Sequence, residues 1–196
     1  TLDRSSAASD VYKRQAWGDP VARYLPDFRL SNAYVSEHAT IGDFFAHRSG
    51  LPGTAGDDLE DLGFTRSDVI ARLRLLPLDA FRTSYHYANF STTIGAEAVA
   101  RAAGRPWDGL ADDLLFKPLG MTATSYRFSD FMARENRAVL HGYQKGVFVP
   151  LGQRDADQQA PAGGASSTVV DMAQWIKLLL ADGQYLSLIH LSLIHI

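Results

Sequence analysis

The sequence predicts an α+β fold that is mainly helical and carries one β-hairpin late in the chain. Most segments between residues 19 and 180 place apolar residues at helical spacing, and several of them begin with a capping residue. After about residue 138 the period changes to that of two short strands joined by a glycine-containing turn. With 196 residues, 46% of them hydrophobic, the chain is long enough for one domain with a buried core.

Capping residues predict four helix starts. Asp19-Pro20 combines a capping carboxylate with proline at the first helical position. Thr40 to Asp43 has capping-box spacing, and Gly50 lies at a predicted left-handed cap beyond that helix. Thr65 to Asp68 and Thr168 to Asp171 repeat the pattern before apolar stripes. The buried side of the last helix is predicted to consist of Val169, Met172, Ala173, Ile176, Leu179 and Leu180.

The middle of the chain predicts two more helices and the hairpin. A helix is predicted from Thr92 to Ala103, where small residues suit close packing and Gly104 ends the pattern. Another is predicted to start at Arg105-Pro106-Trp107. The hairpin is predicted from strands 138–143 and 147–151, joined by the intervening three residues.

Two polar segments are predicted to lack regular structure. The acidic run 57–61 does not have the alternating ligands and glycine of a calcium loop, so a solvated loop is predicted. Residues 162–167 are rich in glycine and serine but lack the lysine of a phosphate-binding loop, so they are predicted to be a flexible lead-in to the last helix.

Composition argues against several functional classes. A net charge of -3, with no run of Lys or Arg, argues against a nucleic-acid surface. The absence of cysteine excludes disulfides, thiol catalysis and zinc–thiolate sites. No apolar stretch is long enough to span a bilayer. The histidines outside the last eleven residues show no metal-ligand spacing, so no metal site is predicted.

Both ends of the chain are predicted to be non-native. Residues 186–196 read LSLIHLSLIHI, and residues 10–15 read DVYKRQ. The codons ctg-tct-ctt-ata-cac-atc encode LSLIHI, and their reverse complement encodes DVYKRQ, so one short DNA element read on opposite strands explains both segments. Residues 10–15 and 186–196 are therefore predicted to be adapter-like segments, and residues 16–185 the native central part. Residues 1–9 lie outside the match and have no assigned origin, and residues 1–15 together are treated as a non-native leader.

One stretch concentrates the side chains that chemistry needs. Ser84 to Ser91 contains three aromatic rings, a histidine and an amide immediately before the helical pattern of residues 92–103. Tyr87 and Asn89 can project toward one cleft from the lip of a helix, the phenol as a proton carrier and the amide as a substrate clamp. A bare Y-x-N pattern more often marks an ordinary turn. The other motifs of the chain are therefore needed to distinguish an active-site pair from a turn.

Other catalytic motifs provide weaker evidence for an active site. The sequence contains no G-x-S-x-G, P-loop, G-x-G-x-x-G or H-E-x-x-H motif. Ser49 with His47, or Ser91 with His86, is a weaker hypothesis for a nucleophile and base. Residues two apart on a helix do not face each other, so a structural role is favoured for His47 and Ser49.

Five short motifs occur in a recognisable order along about 170 of the 196 residues. They are WGDPVxxYLP at 17–26, TIxxFFxHxSGLP at 40–52, YAN at 87–89, FxPLGM at 116–121, and AGG with STxxDMAxW at 162–175. In this order the chain resembles the serine β-lactamase and penicillin-binding-protein superfamily, in its class C β-lactamase-like branch. The resemblance implies a β-lactamase/transpeptidase-like fold, present here mainly as its helical subdomain and a hairpin, with most of the antiparallel sheet missing.

The resemblance also implies a mechanism. A serine followed three residues later by lysine is acylated by a β-lactam, a D-amino peptide or an ester. Tyr87 and Asn89 occupy the places of the residues that carry the serine's proton and that orient the lysine and bind the substrate's carbonyl. No cofactor is implied, and a periplasmic or otherwise extracytoplasmic location is expected.

The departures from the family pattern limit these expectations. No S-x-x-K occurs anywhere in the sequence. In the family that motif lies upstream of the region that corresponds to Asp19-Pro20, and the K-T-G or H-x-G motif is expected downstream of Gln184. The chain by itself is therefore expected to be inactive, and a non-catalytic binding or regulatory homologue of the same fold is the alternative. Without the partner sheet, exposed apolar surface and marginal stability are expected. The substrate and the oligomeric state stay open.

Overall fold

A computed structural model describes residues 15–181, so the predicted non-native segments 1–15 and 186–196 lie outside the described residues apart from Gln15. The described α-helices are α1 Ala33–His38, α2 Ile41–Phe45, α3 Asp57–Asp61, α4 Arg66–Arg72, α5 Asn89–Ala103, α6 Trp107–Ala111, α7 Phe128–Met132, α8 Ala160–Gly163 and α9 Val169–Leu180. The described strands are β1 His141–Gln144 and β2 Val147–Pro150. Shorter helical turns are Val21–Arg23, Leu73–Leu75 and Asp157–Gln159, which are 3-10, and Asp112–Phe116, which is a π-turn.

Helix α5 is the centre of the larger core. It begins three residues earlier than predicted, after an extended Ala88, and ends at Gly104 with φ 67°, as its glycine predicts. Most of its residues from 90 to 100 are buried, because their small side chains let neighbours approach from several sides. A Cβ added at Gly95 would lie 2.8 Å from the ring of Phe45, so α2 crosses α5 where only a hydrogen fits. The first half of the chain packs around this helix.

The carboxylate of Asp43 ties α2 to the loop that precedes α5. The predicted capping box is confirmed: Thr40 and Asp43 each accept a hydrogen bond from the other's backbone N–H. Arg82 donates to the same carboxylate with N–O distances of 3.0–3.2 Å, and Arg48 Nη2 lies 3.6 Å from it. Burial raises the pKa of Asp43, but the hydrogen bonds from Arg82 and Thr40 outweigh that effect, and the pKa is lowered.

The predicted cap at Asp19 is wrong, whereas the later threonine caps are confirmed. Only a three-residue 3-10 turn follows Pro20. The Asp19 carboxylate accepts from the Tyr24 hydroxyl at 2.6 Å and from the Ala16 N–H at 2.9 Å, so it is not available to helix amides. At the starts of α4 and α9, Thr65 and Thr168 accept from the N–H three residues on.

The acidic run forms helix α3, so the predicted solvated loop is wrong. Gly56, with φ 95°, leads into this helix. Glu60 is 7% exposed, and its Oε2 accepts from Arg154 Nη2 at 2.6 Å and also from Gln159 Nε2. These partners lie more than 90 residues away along the chain, so the local charge pattern could not reveal them.

The hairpin is confirmed, with slightly shorter strands than predicted. Its antiparallel register pairs Tyr143 with Phe148. Lys145 and Gly146 have φ of 48° and 88°, as a two-residue hairpin turn with two left-handed positions requires. Phe148 is 73% exposed, so the hairpin buries little of its apolar surface against the described residues.

Helix α9 packs through a different face from the predicted one. Leu178 is buried in a small cluster with Phe116, Leu119 and Met121. All six residues that were predicted to be buried are exposed instead, and Val169 is 84% exposed. The apolar periodicity is therefore real, but the described residues do not cover that stripe. The expected exposed apolar surface is confirmed.

The glycine- and serine-rich segment 162–167 is more structured than predicted. Its first residues lie in or follow α8. Ser166 then exchanges two backbone hydrogen bonds of 2.9 and 3.0 Å with Ser125, which ties the lead-in of α9 to the loop before α7.

Replacing Asp43 by asparagine should lower the free energy of unfolding by about 2–3 kcal/mol, because two arginines lose an anionic partner. Since the pKa of Asp43 is lowered in the fold, its contribution is present above the ordinary carboxyl pKa and is lost as the pH falls through the folded value. Urea unfolding curves of wild type and D43N should therefore converge on acidification. D58N, at an exposed carboxylate, is the control. A difference that stays constant down to about pH 2 would contradict this prediction.

Replacing Gly95 by alanine should destabilise the fold by about 1–3 kcal/mol, because the new methyl group overlaps the Phe45 ring at the α2–α5 crossing. Gly109 in α6 is the matched control, since the nearest atom to an added Cβ lies 3.8 Å away. G109A should be neutral or stabilising by up to about 1 kcal/mol, from helix propensity alone. Thermal and urea unfolding measure both, and equal effects would refute the close-packing argument.

Candidate active site

Tyr87 and Asn89 meet at the N-terminus of α5. Ala88 between them is extended, with φ -144° and ψ 124°, so the side chains on either side of it can point the same way. The Tyr87 hydroxyl donates to Oδ1 of Asn89 at 2.9 Å. Tyr87 is 53% exposed, whereas Asn89 is half-buried. The pair forms a phenol–amide unit that a ligand can reach.

The ring of His47 lies against the ring of Tyr87. The two ring centroids are 4.7 Å apart, and Tyr85 packs edge-on against His47 at 5.6 Å. The Ala88 N–H points at Nδ1 of His47 at 3.4 Å, and the His86 N–H donates to the His47 carbonyl at 3.2 Å. Burial lowers the pKa of His47, which favours the neutral ring with an accepting Nδ1. This imidazole therefore supports the segment that carries Tyr87.

Asn89 is held from its other side by Asp57, the first residue of α3. Nδ2 of Asn89 donates to the Asp57 carboxylate, with distances of 3.4 and 3.2 Å to its two oxygens. Burial raises the pKa of Asp57, against the opposing effects of the Asn89 hydrogen bond and the Arg154 charge. Asp57 was not predicted as a site residue, because the acidic run was assigned to a solvated loop and no local signal links it to Asn89.

The two serines considered as alternative nucleophiles are enclosed. Ser49 and Ser91 are 1% and 0% exposed. The Ser91 hydroxyl donates to the Phe44 carbonyl at 2.7 Å, and Ser49 Oγ accepts from the Leu51 N–H at 3.4 Å. His86 Nε2 faces Asp79 instead, at 3.4 Å. The geometry supports neither Ser–His pair.

A well-formed cavity among the described residues lies elsewhere. It has a volume of about 890 Å³ and opens between the 24–29 loop, α4 and the C-terminal half of α5. Neither Tyr87 nor Asn89 lines it. Within residues 15–181 no group of three or more His, Asp or Glu side chains could hold a metal ion. No helix in the same part of the chain is long and apolar enough to cross a membrane.

Comparison with known proteins shows which family model and which proteins this chain is similar to. The family model described as Beta-lactamase matches residues 8–193. The chain is 28% identical over 184 residues to the unguisins hydrolase of Aspergillus violaceofuscus, covering 88% of this chain and 32% of that protein. It is 26% identical over 174 residues to the D-alanyl-D-alanine-carboxypeptidase/endopeptidase AmpH of Escherichia coli K12, covering 85% and 43%. The chain thus spans less than half the length of these curated relatives.

Solved structures show the same fold. A class C beta-lactamase in complex with cefoxitin superposes with a TM-score of 0.71 at 18% identity. The match covers 94% of this chain and 49% of that one. The nine helices and one hairpin of residues 15–181 are therefore a part of the α+β fold of β-lactamases and transpeptidases.

The ring of His47 should titrate below the ordinary histidine pKa of about 6.5, because burial disfavours its charged form. The fold is then at full stability above the ordinary pKa and loses stability as the pH falls from there toward the folded value. NMR of the ring Cε1–H resonance measures the midpoint directly. H47Q, which keeps a polar side chain without a titrating ring, should lose this part of the pH dependence. A midpoint above about 6.5 would contradict the prediction.

Proposed function

The chain belongs to the beta-lactamase family, and on that premise we propose that it is the central part of a serine hydrolase that works through an acyl-serine intermediate. The observation that carries the proposal is the hydrogen-bonded pair of Tyr87 and Asn89 at the open N-terminus of α5. The proposed substrates contain a β-lactam, a D-amino peptide or an ester carbonyl. In support, AmpH is named as a D-alanyl-D-alanine carboxypeptidase and endopeptidase, and the matching class C enzyme is bound to cefoxitin.

In the proposed mechanism Tyr87 moves a proton. Its hydroxyl is exposed and its ring is supported by His47, so the phenol oxygen has a defined position at the surface. The phenol would take the proton of the attacking serine and deliver it to the leaving group. A free phenol ionises near pH 10, so this role requires a positive charge close by. A lysine three residues after the nucleophile would supply that charge.

Asn89 would orient the reacting groups. Its amide has one acceptor oxygen and two N–H donors. Oδ1 faces the Tyr87 hydroxyl, where the lysine ammonium would also be held, and Nδ2 has a donor available for a substrate carbonyl. This arrangement provides positioning and proton transfer but no nucleophile of its own.

We also propose that the serine and lysine lie outside this chain. No S-x-x-K occurs in the 196 residues, and the chain spans 32% and 43% of the two relatives described above. Residues 16–185 would be the native central part, residues 1–15 a non-native leader that contains the adapter-like segment 10–15, and residues 186–196 a second adapter-like segment. By itself this chain would not turn over substrate. Contiguous flanking sequence that encodes neither S-x-x-K upstream nor K-T-G or H-x-G downstream would favour a non-catalytic homologue instead.

In the longer protein, replacing Tyr87 by phenylalanine should lower kcat/KM by about 10²- to 10⁴-fold, because the proton carrier is lost while the ring contact with His47 is kept. Hydrolysis of nitrocefin and p-nitrophenyl acetate, with labelling by a fluorescent penicillin, measures the loss. Tyr143→Phe, which removes an exposed hydroxyl on β1, is the matched control and should retain activity. An active wild type with an equally active Y87F would reject the assigned role of Tyr87, and an inactive wild type would reject the hydrolase.

A further inference from the structure

We propose that Asp57 is a positioning residue that fixes the orientation of the Asn89 side-chain amide and thereby sets which atoms of Asn89 face Tyr87 and the substrate. The orientation itself follows from contacts in this chain, whereas its consequence for catalysis rests on the function proposed above. Of the two proposed site residues, Asn89 donates a hydrogen bond to the Asp57 carboxylate, through Nδ2.

The chemistry of the two neighbours decides which one sets the amide orientation. A hydroxyl both donates and accepts, so Tyr87 could satisfy either end of the amide. A carboxylate only accepts, so Asp57 binds the NH₂ end and repels the oxygen. Because Nδ2 lies 3.2 and 3.4 Å from the two Asp57 oxygens, Oδ1 has to point at the Tyr87 hydroxyl, where it accepts at 2.9 Å. Rotation of the amide by 180° would place three oxygens together.

Asp57 is itself held firmly in place. The Thr54 N–H donates to the Tyr87 carbonyl at 2.9 Å, which ties the entry of α3 to the segment that carries the phenol. At Gly56 an added Cβ would lie 2.7 Å from both Phe90 and Val69, so α3 begins in direct contact with the start of α5. One turn later, Glu60 is anchored by Arg154 and Gln159. Both ends of the short helix are therefore fixed to other elements, and Asp57 is an oriented acceptor.

The arrangement leaves Asn89 with a defined set of free groups. One N–H of Nδ2 is directed at Asp57, so the second N–H remains for a carbonyl oxygen. The negative charge of Asp57 polarises the Asn89 amide so that Oδ1 becomes a stronger acceptor, because hydrogen bonds in a chain polarise one another. Oδ1 stays on the phenol side, where a cation or a hydroxyl can donate to it. Asp57 thus separates the accepting and donating ends of Asn89 between two directions.

The first test uses the 196-residue chain and needs no activity. In D57N the neighbour of Asn89 becomes an amide that can donate or accept, so the Asn89 amide is no longer held in one orientation. The side-chain ¹⁵N–¹H₂ resonances of Asn89 should shift or broaden by exchange in D57N and stay unchanged in D58N. Asp58 is the exposed neighbour on the same helix, and D58N makes the same charge change. Unchanged Asn89 resonances in D57N would overturn the proposal.

The second test uses the longer protein and p-nitrophenyl acetate. D57N should lose about 10- to 100-fold in kcat/KM through misplacement of Asn89, with a melting temperature like that of D58N. D57N activity equal to that of D58N, in an active wild type, would overturn the positioning role. An inactive wild type would instead refute the hydrolase and leave the NMR result to decide the orientation. If D57N does not fold, D57S takes its place, and failure of both to fold would show that Asp57 is structural and overturn the proposal.

Discussion

The buried carboxylate of Asp43 is the interaction on which the surroundings of the candidate site depend. It completes the capping box of α2, and it also pairs with Arg48 and Arg82. These two arginines flank, in sequence, the segment from which α3 and α4 emerge. The loop that carries Tyr85 and Tyr87 follows Arg82 directly, so the bonds between Arg82 and Asp43 help to fix its position relative to α2, together with the backbone hydrogen bond from His86 to His47. Removing one member of this group of charges lowers the stability of the fold, because the remaining charges lose a partner of opposite sign where water is partly excluded.

The site itself results from three elements that meet at the first turn of α5. Helix α5 supplies Asn89, the left-handed backbone at His47 presents a ring to Tyr87, and α3 supplies Asp57. Each element is fixed by packing against α5, whose small residues allow close approach. The opposite is true of the hairpin and of α9, where apolar side chains lie open. The chain therefore combines a well-packed half that holds the site with a half whose apolar surface is uncovered by the described residues.

Local signals in the sequence were reliable where the interaction itself is local. The Thr40–Asp43 box, the caps at Thr65 and Thr168, the stop at Gly104 and the hairpin turn were all predicted from neighbouring residues. Each depends on bonds between residues a few positions apart, so the pattern contains the whole cause. The predicted cap at Asp19 is the exception, because the hydroxyl of Tyr24, five residues on, donates to the carboxylate instead of a helix amide.

The helix-rich α+β class, the hairpin and the Tyr87–Asn89 pattern could be predicted from the sequence, because periodicity, capping and motif order are properties of residues close along the chain. Three features became clear only in the folded chain: the acidic run is a helix with Glu60 buried, α9 packs through Leu178, and Asp57 contacts Asn89. The physical reason is the same in each case. Burial and the choice of hydrogen-bond partner depend on residues about 30 to 100 positions away along the chain. A sequence pattern shows that a side chain can be buried or hydrogen-bonded, but not which distant residue will contact it.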